Sequence, residues 1–308
     1  MSVAMVFPGQ GSQSVGMMTA FSSLPAVRST FEEASAALGF DLWKLVQEGP
    51  EDQLLLTVNT QPAMLAAGVA LFRSWRECGG SQPVAVAGHS LGEYTAWTVA
   101  GTLEFSEAVA LVRYRGALMQ EAVPAGKGGM AALLGLDDDV VRAVCEEASS
   151  TGIVEAANYN SPGQVAIAGE TQAVQRAVEL AKARGAKRAV MIAISIPAHS
   201  SLMRPAAERL RERLTTLRLN PPEIPVVNNV DVVAETEPAR IREALVRQLS
   251  SPVRWVETIQ ALSQRGAKTL LECGPGGVLA GLVKRAAPEL KAVPAKDAAT
   301  IRQLAAEA

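Results

Sequence analysis

The chain has 308 residues, of which 48% are hydrophobic and 19% are charged, so it can bury a sizeable core and is not a disordered tail. Its 29 basic and 31 acidic side chains leave a net charge of −2, which argues against a nucleic-acid-binding protein because such proteins carry a basic excess. Two histidines and three cysteines without a CxxC pair exclude a His-rich metal centre and argue against a disulfide framework. We expect no metal site and a reducing compartment, the cytoplasm.

Short apolar strands followed by glycine-rich turns and helices recur along the chain. The strands predicted in this way are residues 3–7, 84–88 and 269–273. Repeated strand–turn–helix units predict a parallel α/β sheet. The uncharged run 53–72 has the length of a membrane span, but polar residues and a proline interrupt its centre, so we expect no spanning segment.

The middle of the chain has a different order of elements. Strands are predicted at 130–136, 153–157, 164–168 and 188–194, with one helix capped by Asp137–Asp139 and another at about 172–184. The residues 158–163 between the second and third strands are predicted as a turn. The order βαββαβ is that of a ferredoxin-like unit. We predict this subdomain at 128–196, inserted into a larger α/β domain made of 1–127 and 197–308.

The sequence GHSLG at 88–92 fits the G-x-S-x-G pattern, with a predicted strand before it and a helix after it. The glycines allow a sharp turn that exposes Ser90, and the N–H of Leu91 at the start of the helix faces any oxyanion formed there. An ordinary glycine turn is the alternative interpretation.

A serine nucleophile needs a base, and the chain offers only two imidazoles. His89 is adjacent to Ser90, so its side chain should point away from the serine and serve a structural role. His199 follows the last predicted strand of the inserted unit, where a loop can overhang the elbow, and it is the candidate base. No acid completes a triad, so a backbone carbonyl or an amide is expected to orient the imidazole.

Arg115 lies on the apolar stripe of a helix predicted at 106–120. Its neighbours three and four residues away are Leu111, Val112, Leu118 and Met119. A guanidinium on a buried face is costly unless it is paired. Two interpretations stay open: a salt bridge to another element, or a fork for a substrate carboxylate.

Six motifs extend these patterns along nearly the whole chain. They are FPGQGSQ (7–13), GHSLGEY (88–94), YRGALMQ (114–120), NYNSPGQ (158–164), PAHSSLM (197–203) and ECGPG (272–276). In this order they resemble the malonyl-CoA:acyl carrier protein transacylase family. The resemblance implies an α/β-hydrolase-like large domain with an inserted ferredoxin-like (βαββαβ) small domain.

The resemblance also implies roles for single residues. Ser90 would form the acyl-enzyme, and His199 would act as general base and then as general acid. The backbone amides of Gln10 and Leu91 would form the oxyanion hole. Arg115 would hold the free carboxylate of a malonyl group.

Gln248 matches the family residue that steadies the histidine, largely through its main chain. Two positions depart from the family pattern. Ala198 stands before the histidine where relatives more often have Ser or Phe, which leaves the choice between malonyl and bulkier α-substituted acyl groups open. Cys273 replaces a plain aliphatic residue, and we expect it only to pack in the core.

The implied reaction is ping-pong transfer of a malonyl group from malonyl-CoA to the phosphopantetheine thiol of an acyl carrier protein, in fatty-acid or polyketide biosynthesis. Malonyl-CoA is then a substrate, no cofactor is needed, and a monomer is expected. Carrier proteins are usually acidic, so we expect them to dock on basic residues of the inserted unit, Arg184, Lys187 and Arg188. The alternatives are a thioesterase-type serine hydrolase, a transacylase for another α-substituted dicarboxylic acyl group, and a catalytically silent docking subunit.

Overall fold

The computed structural model describes residues 2–124 and 126–308, which contain nine strands and thirteen α-helices. The strands are β1 Val3–Phe7, β2 Val86–Gly88, β3 Gly128–Leu134, β4 Val154–Ser161, β5 Gln164–Glu170, β6 Arg188–Ile192, β7 Val226–Val227, β8 Thr269–Glu272 and β9 Lys291–Pro294. The helices are α1 Pro25–Leu38, α2 Leu42–Glu48, α3 Glu51–Leu55, α4 Thr57–Glu77, α5 Leu91–Val99, α6 Phe105–Glu121, α7 Asp138–Ala148, α8 Thr171–Ala183, α9 Arg204–Thr215, α10 Pro238–Gln248, α11 Trp255–Gln264, α12 Val278–Ala286 and α13 Ala298–Glu307.

The larger sheet has the order β7-β2-β1-β8-β9, and all its pairs are parallel. Its central strand β1 is buried over all five residues, because parallel sheets carry helices on both faces. Phe7 and Gly88 are paired at the ends of β1 and β2. The turns that follow these two strands therefore meet at one edge of the sheet, and they carry Gln10 and Ser90. The predicted parallel α/β fold is confirmed.

Most of the uncharged run 53–72 forms the first part of α4, which is buried along most of its length and contains Pro62. The helix packs against α1, α5 and α6, so its apolar residues belong to the protein core. Within residues 2–124 and 126–308, no helix combines the length and apolar composition that crossing a membrane requires.

The smaller sheet is antiparallel, with the order β4-β5-β3-β6. Helices α7 and α8 cover one of its faces and enclose a separate apolar cluster. The chain order β3-α7-β4-β5-α8-β6 confirms the ferredoxin-like prediction. All four strands fall inside 128–196, and those of the larger sheet fall in 1–127 and 197–308. The domain boundaries themselves stay predictions.

Two local predictions in this subdomain were wrong. Residues 158–161 are not a turn but the end of β4, which pairs with β5 through a bulged register. The backbone of Ala157 and Tyr159 also bonds to Val253 in the large domain, and these extra hydrogen bonds hold a polar segment extended. Asp137 precedes α7 in the N-cap position, but its side chain accepts no capping hydrogen bond.

Candidate active site

Ser90 lies at the turn between β2 and α5 in a backbone conformation with positive φ, which is rare for a residue other than glycine, at φ 53° and ψ −104°. The two flanking glycines are required by close packing. A Cβ on Gly88 would lie 1.9 Å from the backbone of Gly92, and a Cβ on Gly92 would lie 2.0 Å from the carbonyl oxygen of Phe7. The predicted sharp strand–turn–helix elbow is therefore the observed local structure.

The structure brings His199 to Ser90 from a distant part of the chain. Its Nε2 lies 2.7 Å from Ser90 Oγ, and its Nδ1 lies 2.8 Å from the carbonyl oxygen of Gln248. Since that carbonyl only accepts, Nδ1 carries the proton and Nε2 is free to accept the serine proton. Burial, with a smaller contribution from Arg115, lowers the pKa of His199 to about 3. The imidazole is therefore neutral and able to act as a base, with a backbone carbonyl where a triad would have an acid.

Arg115 is 1% exposed and projects from α6 toward Ser90. Its Nη1 donates to Gln61 Oε1 at 2.9 Å, and its Nη2 donates to Ser90 Oγ at 3.2 Å and to Gln248 Oε1 at 3.1 Å. The Nε has no partner, and within the described chain no carboxylate forms an ion pair with this guanidinium. The salt-bridge interpretation of Arg115 is therefore wrong, and the cation is available to an acid from outside the chain.

Gln10 and Leu91 both border the cavity next to Ser90. The side chain of Gln10 bonds to Thr57 through its Nε2, at 3.1 Å from Oγ1, which steadies the turn after β1. Leu91 is the first residue of α5, so its N–H points out of the helix with the positive end of the helix dipole. Both residues therefore lie at the cavity beside Ser90, and their oxyanion-hole role stays a prediction.

His89 points away from the serine, as its place in the elbow predicts. Its Nε2 lies 2.8 Å from Asn160 Oδ1 on β4, and its ring packs edge-on against Trp255 at 5.3 Å. Burial lowers its pKa, so a neutral imidazole donates to the asparagine. His89 thereby ties the elbow to the small subdomain.

A cavity of about 190 Å³ opens above Ser90 between the two sheets. Its apolar side consists of small-subdomain side chains and of the segment that leads from β6 to His199. These residues are Met130, Ala166, Ile192, Ile194, Ile196 and Ala198. Ala198 thus lines the cavity, whereas Cys273 lies at 0% exposure in the main core.

The three basic residues predicted to dock a carrier protein lie at the start of β6 and just before it. Arg184 is paired with Glu147, and Arg188 is exposed at the first position of the strand. Ile192, at the other end of β6, lines the cavity. Elsewhere in the described residues, no three His, Cys, Asp or Glu side chains come together as metal ligands do.

Three residues that contact this group were not predicted from the sequence: Gln61, which accepts from Arg115, and Asn229 and Glu93. Asn229 Oδ1 accepts a hydrogen bond from the backbone N–H of Ser90, and Glu93 Oε2 accepts one from Gln248 Nε2, each at 2.9 Å. Glu93 belongs to the GHSLGEY motif, so its position in the first turn of the helix was a usable signal. No sequence pattern marks Asn229, because it follows a strand of only two residues.

Comparison with known proteins extends these observations. The acyl transferase domain family matches residues 4–306. The malonyl CoA-acyl carrier protein transacylases of Escherichia coli and Bacillus subtilis are 53% and 45% identical to the chain, and the alignments cover 94% and 97% of this chain and 94% and 95% of theirs. An acyl-carrier-protein S-malonyltransferase from Burkholderia pseudomallei superposes with a TM-score of 0.97 at 54% identity, over 99% of this chain and 100% of that one. A malonyl-transacylase solved in complex with a type II PKS acyl-carrier protein reaches 0.98 at 50% identity, over 100% of both chains. The chain belongs to the acyl transferase domain family, and within it to the malonyl CoA-acyl carrier protein transacylases.

Proposed function

We propose that this protein transfers a malonyl group from malonyl-CoA to the phosphopantetheine thiol of an acyl carrier protein, supplying fatty-acid or polyketide synthesis. The observation that carries the proposal is the Arg115 guanidinium, which is buried, has no acid partner in the described chain and donates to Ser90 Oγ at 3.2 Å. A serine hydrolase acting on neutral acyl groups has no use for such a cation. A dicarboxylic acyl group bound by its free carboxylate uses it directly.

The first half-reaction acylates Ser90. The Ser90 O–H proton passes to His199 Nε2, 2.7 Å away, as the oxygen attacks the thioester carbonyl. The backbone amides of Gln10 and Leu91 donate to the resulting oxyanion. The carbon–sulfur bond then breaks, and the departing CoA thiolate takes the proton from His199. The malonyl group is left as an ester on Ser90.

The second half-reaction runs the same steps in reverse with a different thiol. His199 accepts the proton of the phosphopantetheine thiol, and the thiolate attacks the Ser90 ester. Collapse of the tetrahedral intermediate releases the serine oxygen, which recovers the proton from His199. Because the imidazole returns to its neutral form, the carbonyl of Gln248 that accepts from its Nδ1 suffices to orient it through both halves.

The proposal is tested by incubating the purified chain with malonyl-CoA, with and without a phosphopantetheinylated carrier protein, beside Ser90→Ala as control. We expect a malonyl adduct on Ser90 by intact-mass spectrometry, and its transfer to the carrier when that is added. Free malonate without malonyl-carrier would mean a hydrolase, and no adduct would mean a silent docking subunit. Methylmalonyl-CoA in competition tests whether Ala198 admits bulkier donors.

Arg184, Lys187 and Arg188 form our proposed docking surface for the carrier protein. Arg188 begins the strand whose other end, Ile192, borders the cavity, so a carrier held there lies beside the entrance. Opposite charges at such a rim raise the association rate of the two proteins more than they raise the affinity. The monomeric state of the protein and its location in the cytoplasm also remain predictions.

A further inference from the structure

Glu93 is a fully buried carboxylate that takes no part in the two half-reactions. It lies in the first turn of α5, at 0% exposure. Its Oε2 accepts from the backbone N–H of Asn229 and from Gln248 Nε2, both at 2.9 Å, and its Oε1 accepts from Trp97 Nε1 at 3.2 Å. A buried charge without a cation in contact is costly. The role of Glu93 therefore depends on the groups that these three hydrogen bonds hold in place.

One of the bonds supports the nucleophile through Asn229. The Asn229 side chain accepts from the backbone N–H of Ser90 at 2.9 Å and donates to the carbonyl oxygen of Gly88 at 2.8 Å. It therefore clamps the turn on both sides of His89, directly before Ser90, whose positive φ persists only where its surroundings enforce it. Glu93 Oε2 holds the main chain of Asn229, and with it this clamp.

A second bond orients the base and the cation through Gln248. The amide nitrogen of Gln248 donates to Glu93 Oε2 and to the carbonyl oxygen of Ser90, at 2.9 Å each. Its amide oxygen accepts from Arg115 and its main-chain oxygen accepts from His199. Since a carboxylate only accepts and a guanidinium only donates, Glu93 and Arg115 together decide which way the amide faces.

We infer that Glu93 is a positioning residue, whose single oxygen Oε2 holds both the clamp on the nucleophile and the amide that aligns the base and the carboxylate-binding cation. Glu93 also supplies a negative charge that is separated from Arg115 by the side-chain amide of Gln248. The guanidinium therefore stays free to bind a substrate. The catalytic consequence for malonyl transfer rests on the proposed function, whereas the effect on Ser90 itself does not.

A glutamine at position 93 separates shape from charge. Glu93 meets three N–H donors and no acceptor. A glutamine of the same shape keeps the volume but loses the charge, and its NH₂ faces either Trp97 or the pair Asn229 and Gln248. Even when it faces Trp97, the hydrogen bonds to Asn229 and Gln248 are no longer charge-assisted and are therefore weaker. Glu93→Gln at any pH should therefore resemble the wild-type protein with Glu93 protonated.

The groups around Glu93 make that comparison possible. Burial raises the pKa of Glu93 to about 6, although its hydrogen bonds and Arg115 of α6 lower it in part. The pKa of Tyr94, its neighbour in α5, is raised to about 12, and that of His199 is lowered to about 3. Strands β1 and β2 have no titratable residue, and the charged residues of α4 lie in its last turns. Among Glu93, Tyr94 and His199, Glu93 is therefore the one whose pKa lies between 5 and 8. His89, next to Ser90, is a further titratable group whose pKa burial lowers, and the pH profile of Glu93→Gln separates its titration from that of Glu93.

The test measures the rate at which phenylmethanesulfonyl fluoride, which is uncharged, modifies Ser90 between pH 5 and 8. We expect the wild-type rate to fall below about pH 6, where Glu93 becomes protonated. Glu93→Gln should react about tenfold more slowly at pH 8, as expected for a misaligned nucleophile, and should show no fall near pH 6. Its acylation by malonyl-CoA should drop further than its acylation by acetyl-CoA, because Arg115 loses its alignment.

Glu272→Gln is the matched control, since Glu272 is also a carboxylate at 0% exposure but holds the start of α12. It should keep the wild-type pH profile and acyl selectivity even where it lowers the melting temperature. A wild-type rate that is flat from pH 5 to 8 would overturn the inference, and so would a fall near pH 6 that persists in Glu93→Gln. If Glu93→Gln does not fold, Glu93→Asp should keep the fall at a lower plateau rate. Failure of malonyl transfer in the wild-type protein alone would overturn the proposed function instead.

Discussion

The two walls of the cavity differ in how their side chains are held. The polar floor comes from the large domain and includes Ser90, Arg115 and His199. Each of these side chains has directional hydrogen-bond partners, Gln248 among them. The roof comes from the small antiparallel sheet. Its apolar side chains are Met130, Ala166 and Ile192, and Asn158 and Asn160 of β4 also line the cavity. Floor and roof line the same cavity but make different kinds of contact.

That difference separates two contributions to the reaction. Removing a floor side chain leaves buried polar groups without partners, which costs much more than the contact itself is worth. Removing part of a roof side chain loses packing and admits water, which costs in proportion to the area lost. The largest effects are therefore expected in the floor, and the following changes test that order.

His199→Ala removes the base that contacts Ser90 Oγ. We expect acyl-enzyme formation from malonyl-CoA to slow by about 10⁴-fold or more, as when a serine nucleophile loses its histidine. Stopped reactions analysed by intact-mass spectrometry measure it, and far-UV circular dichroism checks the fold. His89→Ala is the control, because that imidazole bonds to Asn160 rather than to the serine. Equal losses in the two variants would contradict the assignment of the base.

Arg115→Ala removes the carboxylate fork. Charge-assisted hydrogen bonds are worth about 1.5–3 kcal/mol, so kcat/KM for malonyl-CoA should fall by about tenfold to a hundredfold while acetyl transfer falls less. Arg115→Lys should recover only part, since an ammonium lacks the planar fork.

Arg113→Ala is the control for this change, because Arg113 is two residues away on the same helix and donates to the carbonyl oxygen of Leu38. Its malonyl-to-acetyl ratio should equal that of the wild-type protein. If Arg115→Ala also keeps the wild-type malonyl-to-acetyl ratio, a group other than Arg115 binds the carboxylate.

Features that depend on local sequence patterns could be predicted from the sequence, whereas contacts between distant parts of the chain could not. The elbow at Ser90 and the two sheets were predictable, because strand–turn–helix punctuation and the βαββαβ order are local patterns. The turn predicted at 158–163 was wrong over residues 158–161, because the hydrogen bonds that extend this segment include those from Val253, far away in the chain. Asn229 was missed for a related reason: its partners are brought together by the fold, and no local spacing records that. Glu93 was missed although its place in the first helical turn after Ser90 was a usable signal. The unpaired state of Arg115 also needed the structure, since the sequence allowed a salt bridge equally well.

Ile192→Ala tests the roof. The side chain is half-buried at the end of β6 and touches the cavity, so its truncation removes apolar contact and no hydrogen bond. We expect about fivefold slower malonyl transfer and a larger share of free malonate, because water reaches the Ser90 ester. Met191→Ala is the control, since neighbouring strand residues face opposite sides of a sheet. An effect as large as that of Arg115→Ala would break the distinction between floor and roof.

The smallest effect is expected on the outer surface of the small subdomain. Reversing two charges of the proposed docking surface, in Lys187→Glu with Arg188→Glu, should raise the KM for the carrier protein by about threefold, because exposed charges are screened and act mainly on association. The KM for malonyl-CoA should not change, and the difference from wild type should shrink as salt is raised. Arg176→Glu on the exposed side of α8, where Arg176 pairs with Glu179, is the control for net charge. If Arg176→Glu raises the KM for the carrier equally, the carrier responds to the overall charge of the subdomain rather than to a site at the start of β6.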